Sequence, residues 1–199
     1  MSYKVTCTLL NSWLRATDPD AGEEAFASFL DLLERKPQKD SKAMQEGRRF
    51  EDLVSHRACG RTVVCGSEAE ARAVTQFGQR LADAQMQVRA EKPMSVAGMD
   101  FMLVGVADAL HAGILSDIKR VQRYEYGKYQ FSTQHPMYME LFPEALRFDY
   151  LIFDGFYCYR EQYRRGSFQP IEQTIKAFVD YLQAADLMDV YKKHWRIDE

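Results

Sequence analysis

The chain has 199 residues, enough to bury a hydrophobic core without disulfides and few enough to form a single domain. Hydrophobic residues make up 46% of it and charged residues 28%, which is typical of a globular protein and excludes extensive disorder. The formal net charge of −3 does not point to a nucleic-acid partner, yet it does not exclude one, because binding phosphate requires only a local basic patch.

Cysteine usage and hydropathy indicate a reducing, aqueous environment. The longest apolar run, Phe101–Val106, is far too short to span a membrane, and the N-terminal segment is too weakly apolar for a signal peptide. We therefore expect a cytoplasmic protein that does not associate with membranes. The four cysteines are scattered without a C-x-x-C pair, which argues against a zinc or cluster site and predicts mostly reduced, buried thiols at Cys7, Cys59, Cys65 and Cys158.

The first part of the chain is predicted to be helical. Apolar residues recur at helical spacing in several stretches, which are separated by turn-forming or proline-containing polar segments. A serine followed three residues later by glutamate fits a capping box at the start of the last of these helices. The predicted elements are helices within Leu9–Leu33 interrupted at Asp18–Asp20, a loop over Arg35–Ser41, a helix from about Ala43 to His56, and a helix from Ser67 toward Ala84.

The character of the sequence then changes to strands. Residues rich in Val, Met, Ile and Leu are punctuated by glycines, which predicts strands joined by tight turns. The predicted strands are Val96–Asp100, Phe101–Leu110, Ile114–Lys119, Phe148–Phe153 and Tyr157–Tyr163, with a helix from Ser132 or Thr133 to Leu141 between the third and fourth and helical structure over Ile171–His194 at the end.

This order predicts an α/β or α+β fold in which a central mixed sheet is flanked by helices. We expect one domain over residues 1–199. It would comprise a helical portion at about 1–87, a sheet and helix that carry the chemistry at about 88–163, and C-terminal helices at about 168–195.

Two carboxylates and a lysine are predicted to converge on neighbouring strands. Asp108 ends the segment Gly105–Asp108, and Asp117 and Lys119 lie on the next strand. Alternate residues of a strand share a face, so Asp117 and Lys119 point the same way while Ile118 points into the core. A hairpin between the two strands would bring Asp108 beside Asp117.

This combination of side chains suits hydrolysis of a phosphodiester. Hard carboxylate oxygens hold Mg²⁺, and the ion acidifies water, orients the phosphate and neutralises developing charge. Lys119 can position the attacking water or stabilise charge in the transition state, and it acts as a base only if its surroundings lower its pKa. The competing interpretation is a solvated ion pair, the usual role of an isolated D-x-K on a strand.

Helices on either side of the predicted sheet carry further candidate residues. Glu51 could be another metal ligand or an exposed helix carboxylate. Gly47, four residues before it, costs about 1 kcal/mol relative to alanine inside a helix, which predicts close packing against a neighbour. Gln134 and Tyr138 share a helix face, where they could brace the lysine or a phosphate or be ordinary polar residues. Pro136 fits the first helical turn, which places the positive end of that helix near Gln134.

Cations and aromatic rings are interleaved between the third predicted strand and this helix. Such a run suits single-stranded or frayed nucleic acid, because bases stack on rings. A solvated sheet edge with buried tyrosines accounts for the same pattern equally well. The run contains Lys119, Arg120, Arg123, Tyr124, Tyr126, Lys128 and Tyr129, of which Arg120, Arg123, Lys128 and Tyr124 are the candidate nucleic-acid contacts.

Taken together, four segments resemble the RecB-type branch of the PD-(D/E)XK nuclease superfamily. The pattern of that family is a helix with G-x-x-(F/V)-(H/E), then G-x-x-D, then (D/E)-x-K, then Q-x-x-x-Y. The segment Leu9–Trp13 also resembles the N-terminal start of phage members. The resemblance spans about Leu9 to Tyr163, and the matching segments are Gly47–Glu51, Gly105–Asp108, Asp117–Lys119 and Gln134–Tyr138.

The resemblance implies a restriction-endonuclease-like core and a DNA nuclease that depends on Mg²⁺ or Mn²⁺. Some relatives carry a four-cysteine iron–sulfur cluster with three cysteines near the C-terminus, but only Cys158 lies late here, so no cluster is expected. The implied site consists of Asp108, Asp117, the Ile118 carbonyl and Glu51 as metal ligands, Lys119 as the catalytic lysine, and Gln134 and Tyr138 at the site or on DNA.

Stand-alone relatives of this size are often phage or prophage recombination exonucleases, which degrade one strand of a duplex from its end and work with a single-strand annealing protein. The resemblance therefore implies an exonuclease of DNA recombination or repair, acting on duplex ends or single strands. It would work in the host cytoplasm if phage-encoded, and it could form a homo-oligomer, since some related exonucleases form rings.

Three other functions compete with this one. They are an endonuclease of the same fold, an inactive nucleic-acid-binding or assembly protein that retains the fold, and an unrelated interaction protein. A decayed copy usually loses a ligand or the lysine, so the joint presence of Asp108, Asp117 and Lys119 argues against decay.

Overall fold

The computed structural model describes residues 1–37 and 39–197, and helices cover both faces of one mixed sheet. Gln38, within the predicted loop 35–41, lies outside the described residues. The strands of the described ranges are β1 (Ser2–Val5), β2 (Gln85–Val96), β3 (Met99–His111), β4 (Ile114–Arg120), β5 (Arg147–Phe153), β6 (Cys158–Arg164) and β7 (Arg196–Ile197). The helices are α1 (Cys7–Ala16), α2 (Glu23–Leu33), α3 (Lys42–Ala58), α4 (Glu68–Arg80), α5 (Gln134–Leu141), α6 (Ile171–Ala184) and α7 (Met188–Trp195).

Two strands of the sheet, β1 and β4, share one edge of its longest strand, β3. The strand order is β6-β5-β4-β3-β1-β7, with β2 paired to β3 outside this path. β1 is parallel to β3 and β4 is parallel to β5, while the remaining ladders are antiparallel. Because β2 occupies one edge of β3 along almost its whole length, the other edge is shared between β1, at Asp100–Leu103, and β4, at Ala109–His111. The intervening stretch Val104–Asp108 forms what we call the fork.

Two apolar layers hold the sheet. The larger layer lies between one face of the sheet and α1, α2, α5, α6 and α7, and it buries Leu9, Phe101 and Phe178 completely. The smaller layer lies between the other face and α3 and α4, where Phe50 stacks on Phe153 with ring centroids 5.1 Å apart. Residues alternate along a strand, so a residue next to one facing the smaller layer must face the larger one.

The predicted central mixed sheet flanked by helices is confirmed, and one predicted strand is wrong. The segment predicted as a strand over Val96–Asp100 is a hairpin turn, because Ala97 and Gly98 have φ of 52° and 74° while Val96 pairs with Met99. Two consecutive left-handed residues make the tight connection whose twist matches that of the flanking strands. β2 therefore precedes this turn and begins at Gln85. The short strands β1 and β7 were not predicted.

The predicted capping box at Ser67 is half formed. Ser67 Oγ accepts a hydrogen bond from the Glu70 amide at 3.1 Å, as predicted. The Glu70 carboxylate is used elsewhere: Oε2 accepts from the Gly66 amide at 2.6 Å and Oε1 pairs with Arg49 of α3. This buried carboxylate therefore ties the start of α4 to its neighbouring helix.

All four cysteines are free, as predicted, but the expectation that they are buried is wrong. Cys59 is exposed, and the other three are partly exposed because they lie at or beside the ends of helices and strands. Within the described ranges, no helix is both long and apolar enough to cross a membrane.

Candidate active site

Asp108 lies at the point where β4 leaves β3. The ladder between these strands ends with Ala109 opposite Ser116, and the next bond is made by a side chain: the Ile118 amide donates to Asp108 Oδ2 at 2.7 Å. A carboxylate therefore takes the place of a backbone acceptor at the mouth of the fork. This bond holds Asp108 beside Asp117, as the sequence predicted for the hairpin.

Asp117 and Lys119 share the face of β4 that is covered by the larger layer, since Ile118 between them packs into the smaller one. Asp117 is 5% exposed, and its Oδ2 lies 2.7 Å from Lys119 Nζ. Gln134, the first residue of α5, donates its amide to Asp117 Oδ1. Lys119 therefore pairs with one oxygen of this buried carboxylate and Gln134 with the other.

Glu51 reaches the same region from α3. Its Oε1 accepts a hydrogen bond from Gln87 Nε2 at 2.7 Å. Gln87 lies in β2, in the one gap of the β2–β3 ladder, where neither it nor Asp108 has a paired residue. Its φ is 52°, and the other non-glycine residues with positive φ in the described ranges lie at turns and helix ends. A left-handed residue inside a strand is strained, and such strain is concentrated at functional sites.

The carboxylates of this cluster repel one another. Burial, followed by the charges of Asp117 and Glu51, raises the pKa of Asp108 well above its ordinary value. Burial and the charge of Asp117 also raise the pKa of Glu51, against the hydrogen bond from Gln87. Three acidic side chains thus surround one amine, a surplus of negative charge that a cation would relieve.

Lys119 remains protonated in this setting. Burial alone would lower the pKa of its ammonium, but Asp117 and Asp108 raise the pKa above the ordinary value for lysine. The condition under which the lysine could act as a free base is therefore not met, and its chemistry is that of a hydrogen-bond donor and positive charge.

The donor set of this cluster fits a hard divalent cation. In the part of the chain that the structure describes, no three His, Cys, Asp or Glu side chains are already gathered around one point. Asp108 and Asp117 are nevertheless neighbours, and the Asp117 carboxylate is buried. Carboxylate oxygens are the ligands that Mg²⁺ and Mn²⁺ prefer, and Mg²⁺ keeps several waters and needs few protein ligands. The role of the Ile118 carbonyl stays a prediction.

Tyr138 braces the fork instead of the lysine. Its hydroxyl donates to the Val106 carbonyl at 2.7 Å, between the two ladders on that edge of β3. Its ring packs on Gly105, where an added Cβ would lie 3.0 Å from Tyr138 Cε1 and 2.8 Å from Leu141 Cδ1. The glycine of the G-x-x-D segment is therefore needed because α5 packs directly on β3.

The start of α5 is fixed by a residue that the sequence did not single out. The Thr133 amide donates to Asn11 Oδ1 at 2.8 Å, and the Thr133 hydroxyl donates to the Cys7 carbonyl at 3.2 Å. These contacts join the N-terminal ends of α1 and α5 and so position Gln134 on Asp117. Pro136 lies in the first turn of α5, as predicted.

The interleaved cations and rings begin at the end of β4, with Lys119 and Arg120, and continue in the loop that joins β4 to α5. Tyr124 donates its hydroxyl to Glu161 at 2.7 Å and contacts Tyr159, and Tyr129 stacks on Tyr150 with ring centroids 4.4 Å apart. Arg120 stacks on Phe153, with its guanidinium carbon 5.0 Å from the ring centroid.

The remaining candidates in that loop are exposed. Arg123 pairs with Glu125 at 2.9 Å, and Lys128 donates to the Arg123 carbonyl at 3.4 Å. Tyr126 is 91% exposed. The two interpretations of this run thus apply to different residues: Tyr124 and Tyr129 are structural, whereas Arg123, Tyr126 and Lys128 face solvent.

The close packing predicted at Gly47 is wrong. Apart from its own helix, no described heavy atom lies within 4 Å of a Cβ built at this residue. Gly47 therefore leaves open space beside α3, on the approach to Glu51.

No protein-family model matches the sequence, and no curated protein matches it by sequence. The fold is similar to the crystal structure of SSO0001, with a TM-score of 0.57 and 13% identity over 93% of this chain and 77% of that one. Two looser likenesses are to an alkaline exonuclease (LHK-Exo) from Laribacter hongkongensis, with a TM-score of 0.48 and 18% identity over 96% of this chain and 92% of that one, and to Rai1 from Scheffersomyces stipitis, with a TM-score of 0.41 and 13% identity over 92% of this chain and 61% of that one.

These likenesses concern the fold alone, and the two with TM-scores below 0.5 say nothing of the reaction. The four motifs lie on α3, β3, β4 and α5, in the order and arrangement expected. With the likeness to SSO0001, this placement confirms the α/β fold that the motifs predicted.

Proposed function

We propose that this protein is a nuclease that hydrolyses phosphodiester bonds of DNA with the help of Mg²⁺ or Mn²⁺. One observation carries the proposal: Asp108, Asp117 and Lys119 meet at the fork, where two carboxylates face a single ammonium. An isolated ion pair on a solvated strand would need neither the side-chain bond to Ile118 nor the amide of Gln134.

Asp108 and Asp117 would hold the cation, with Glu51 and the Ile118 carbonyl as further ligands. When bound, the ion supplies neutralisation of the phosphate charge and a lower pKa for water. Burial and the charges of Asp117 and Glu51, which raise the pKa of Asp108, support this assignment, since a bound divalent cation would offset the repulsion among these carboxylates.

The protein's own side chains would orient the reaction. Protonated Lys119 can donate a hydrogen bond to the attacking water or to a phosphate oxygen where negative charge develops. Gln134 fixes the orientation of Asp117, and the Ile118 amide fixes that of Asp108. Held in this way, the carboxylates need little rearrangement before the reaction.

We infer further that the enzyme is an exonuclease of recombination or repair. The resemblance of its motifs to stand-alone phage recombination exonucleases supports this assignment by analogy. The same resemblance supports a single-strand annealing protein as partner, a homo-oligomer, and action in the cytoplasm, that of the host if the gene belongs to a phage.

The proposal is tested with linear duplex DNA in Mg²⁺, in Mn²⁺ and in EDTA. Release of mononucleotides that requires the metal supports the exonuclease, whereas cutting of a closed circle indicates the endonuclease of the same fold. DNA binding without cleavage in any metal indicates the inactive binding protein and overturns the proposal.

Lys119→Ala should abolish turnover without unfolding the protein, because this lysine contributes charge at the site and not core packing. Lys92→Ala is a matched control, since Lys92 is also a strand lysine paired with a carboxylate, Glu140. Equal rates for the two variants would show that Lys119 has no catalytic role.

A further inference from the structure

A cationic cleft lies between the first turns of α3 and the loop after β4. Its volume is about 640 Å³, and its walls carry Lys42, Arg120, Arg123 and Lys128. Two carboxylates oppose these four cations: Glu46 in the wall and Glu125, which pairs with Arg123. The cleft is therefore positively charged, whereas the chain as a whole has a formal net charge of −3. A local basic patch on an acidic protein points to an anionic partner of extended form.

The loop wall of the cleft is held in place by a buried carboxylate. Glu161 of β6 is 3% exposed and accepts hydrogen bonds from the Tyr124 hydroxyl at 2.7 Å and the Gly127 amide at 3.1 Å. These bonds fix the loop on both sides of Tyr126, whose ring is left 91% exposed. The loop thus presents the exposed ring of Tyr126 between Arg123 and Lys128, in a fixed backbone conformation.

Both walls of the cleft lead to the candidate active site. On the strand side, Arg120 directly follows Lys119. On the helix side, Ala43, Gly47 and Glu51 follow one another at four-residue spacing and so lie along one face of α3. Glu51 lies roughly 12 Å along the helix from Ala43, at 1.5 Å per residue. The open space at Gly47 continues the cleft along this face.

We propose that the cleft binds the sugar–phosphate backbone of an unpaired nucleic-acid strand and leads it along α3, over Gly47, to Glu51 and Lys119. The inference rests on the proposed function, since it names the form of the substrate at that same site. Phosphates would contact the four cations, and an exposed base would stack on Tyr126, which a fully paired duplex could not provide. The open space beside Gly47 would leave room for the strand, even with a Cβ added at this residue.

Charge reversal tests the cleft without depending on catalysis. Binding of a fluorescein-labelled oligothymidylate is followed by fluorescence anisotropy in EDTA, for the parent, for Lys42→Glu with Lys128→Glu, and for Lys192→Glu with Lys193→Glu on α7, which has the same charge change. We expect the cleft variant to raise the Kd by about tenfold or more and to lower the salt slope by about 1.4, at about 0.7 for each phosphate contact on a single strand. The α7 variant should bind like the parent, apart from a small effect of net charge.

Two substitutions of one glycine test the path along α3. Gly47→Ala and Gly47→Gln should each raise the Tm by about 2–4 °C, because both residues favour a helix over glycine. Only the longer glutamine side chain of the second variant would obstruct the strand, so Gly47→Gln should weaken binding by about tenfold while Gly47→Ala stays within about twofold.

The outcomes separate this inference from the proposed function. Equal binding by the cleft and α7 variants, or by the two Gly47 variants, overturns the proposal that the cleft binds the strand. This holds even if the parent cleaves DNA. Tighter binding of a blunt duplex than of the oligothymidylate overturns the unpaired strand as the ligand. Failure of the parent to cleave DNA in Mg²⁺ or Mn²⁺ overturns the proposed function itself, whatever the anisotropy shows.

Discussion

Two buried aspartates on neighbouring strands differ in what surrounds them. Asp149 of β5 is completely buried and faces the side of the sheet that carries α3 and α4. It accepts from Arg147 at 2.7 Å, from Arg80 at 3.1 Å and from Gln162 at 3.1 Å. Asp117 of β4 faces the other side and is paired with one ammonium and one side-chain amide.

The balance of charge distinguishes a structural carboxylate from a functional one. At Asp149, two guanidiniums surround one carboxylate, so its charge is compensated by the protein alone. At Asp117, three carboxylates share one ammonium, and burial together with the charges of Asp117 and Glu51 raises the pKa of Asp108. Burial is therefore a poor guide to function by itself, whereas an uncompensated buried charge indicates a ligand that is still to bind.

Asp117→Asn should have the largest effect, and on activity. We expect the rate of DNA hydrolysis to fall by about 10²–10³-fold, because the substitution removes a charged metal ligand. The free energy of unfolding in EDTA should change by less than about 1 kcal/mol, since the lost attraction to Lys119 is offset by the lost repulsion from Asp108 and Glu51. Activity assays and urea denaturation of the same preparation measure both. A stability loss large enough to explain the lost activity would contradict the comparison.

Asp149→Asn should show the converse. Removing the carboxylate leaves Arg80 and Arg147 without their buried partner, which we expect to lower the free energy of unfolding by about 3 kcal/mol, at the low end for buried pairs because both guanidiniums are partly exposed. The rate per folded molecule should stay near that of the parent. If this variant is stable and inactive, the division of roles between the two aspartates is wrong.

The sequence was sufficient where the geometry is local, and insufficient where it depends on packing. Asp117 and Lys119 were predicted to share a face because strand alternation alone decides it. Gln87 was missed because its contact with Glu51 depends on the register of β2 against β3, and Asn11 because its contact with Thr133 joins α1 to α5. Gly98 indicates a turn, but nothing in the sequence indicates that Ala97 is left-handed, so the sequence alone predicts a strand over this turn.

His135 is a third buried titratable residue, besides Asp149 and Asp117, and its side chain is neutral. It is 1% exposed, stacks on Tyr163 with ring centroids 4.0 Å apart, and shares a hydrogen bond of 3.2 Å with the Tyr150 hydroxyl. Burial lowers the pKa of His135 to about 4. The unfolded chain therefore binds a proton between pH 6.5 and 4 that the folded protein does not, so this contribution to stability is complete above pH 6.5 and is lost as the pH falls.

We expect the contribution of neutral His135 to the free energy of unfolding to fall by about 2–3 kcal/mol between pH 6.5 and pH 4. Urea denaturation at several pH values in this range measures the change. The carboxyls of Asp108 and Glu51, whose pKa values are raised, act in the opposite direction, so the informative quantity is the difference between the parent and His135→Phe. His56→Gln, at an exposed site, is the control and should keep the parental slope. A parallel pH dependence for parent and His135→Phe would show that His135 does not titrate in this way.

Gln87 has a strained backbone and also holds Glu51 by a hydrogen bond. Of the substitutions considered, that of Gln87 should have the smallest effect. Gln87→Gly removes the left-handed strain at φ 52° and should raise the free energy of unfolding by about 0.5–1 kcal/mol. The same substitution removes the amide that holds Glu51, so we expect DNA hydrolysis to fall about tenfold and Mn²⁺ affinity, measured by calorimetry, to fall as well. Gln85→Gly, two residues earlier in β2 and not left-handed, should instead lose stability and keep activity.

A merely structural Gln87 would behave differently in a double-mutant cycle. If Gln87 acts by positioning Glu51, then Gln87→Gly should have no further effect on hydrolysis or on Mn²⁺ affinity once Glu51→Ala is present. Independent losses in the two variants would assign the effect of Gln87 to the strand itself. A variant that is more stable than the parent but binds the metal less tightly would show that the strain in β2 is maintained by the requirements of the site, since the fold alone is better served by glycine.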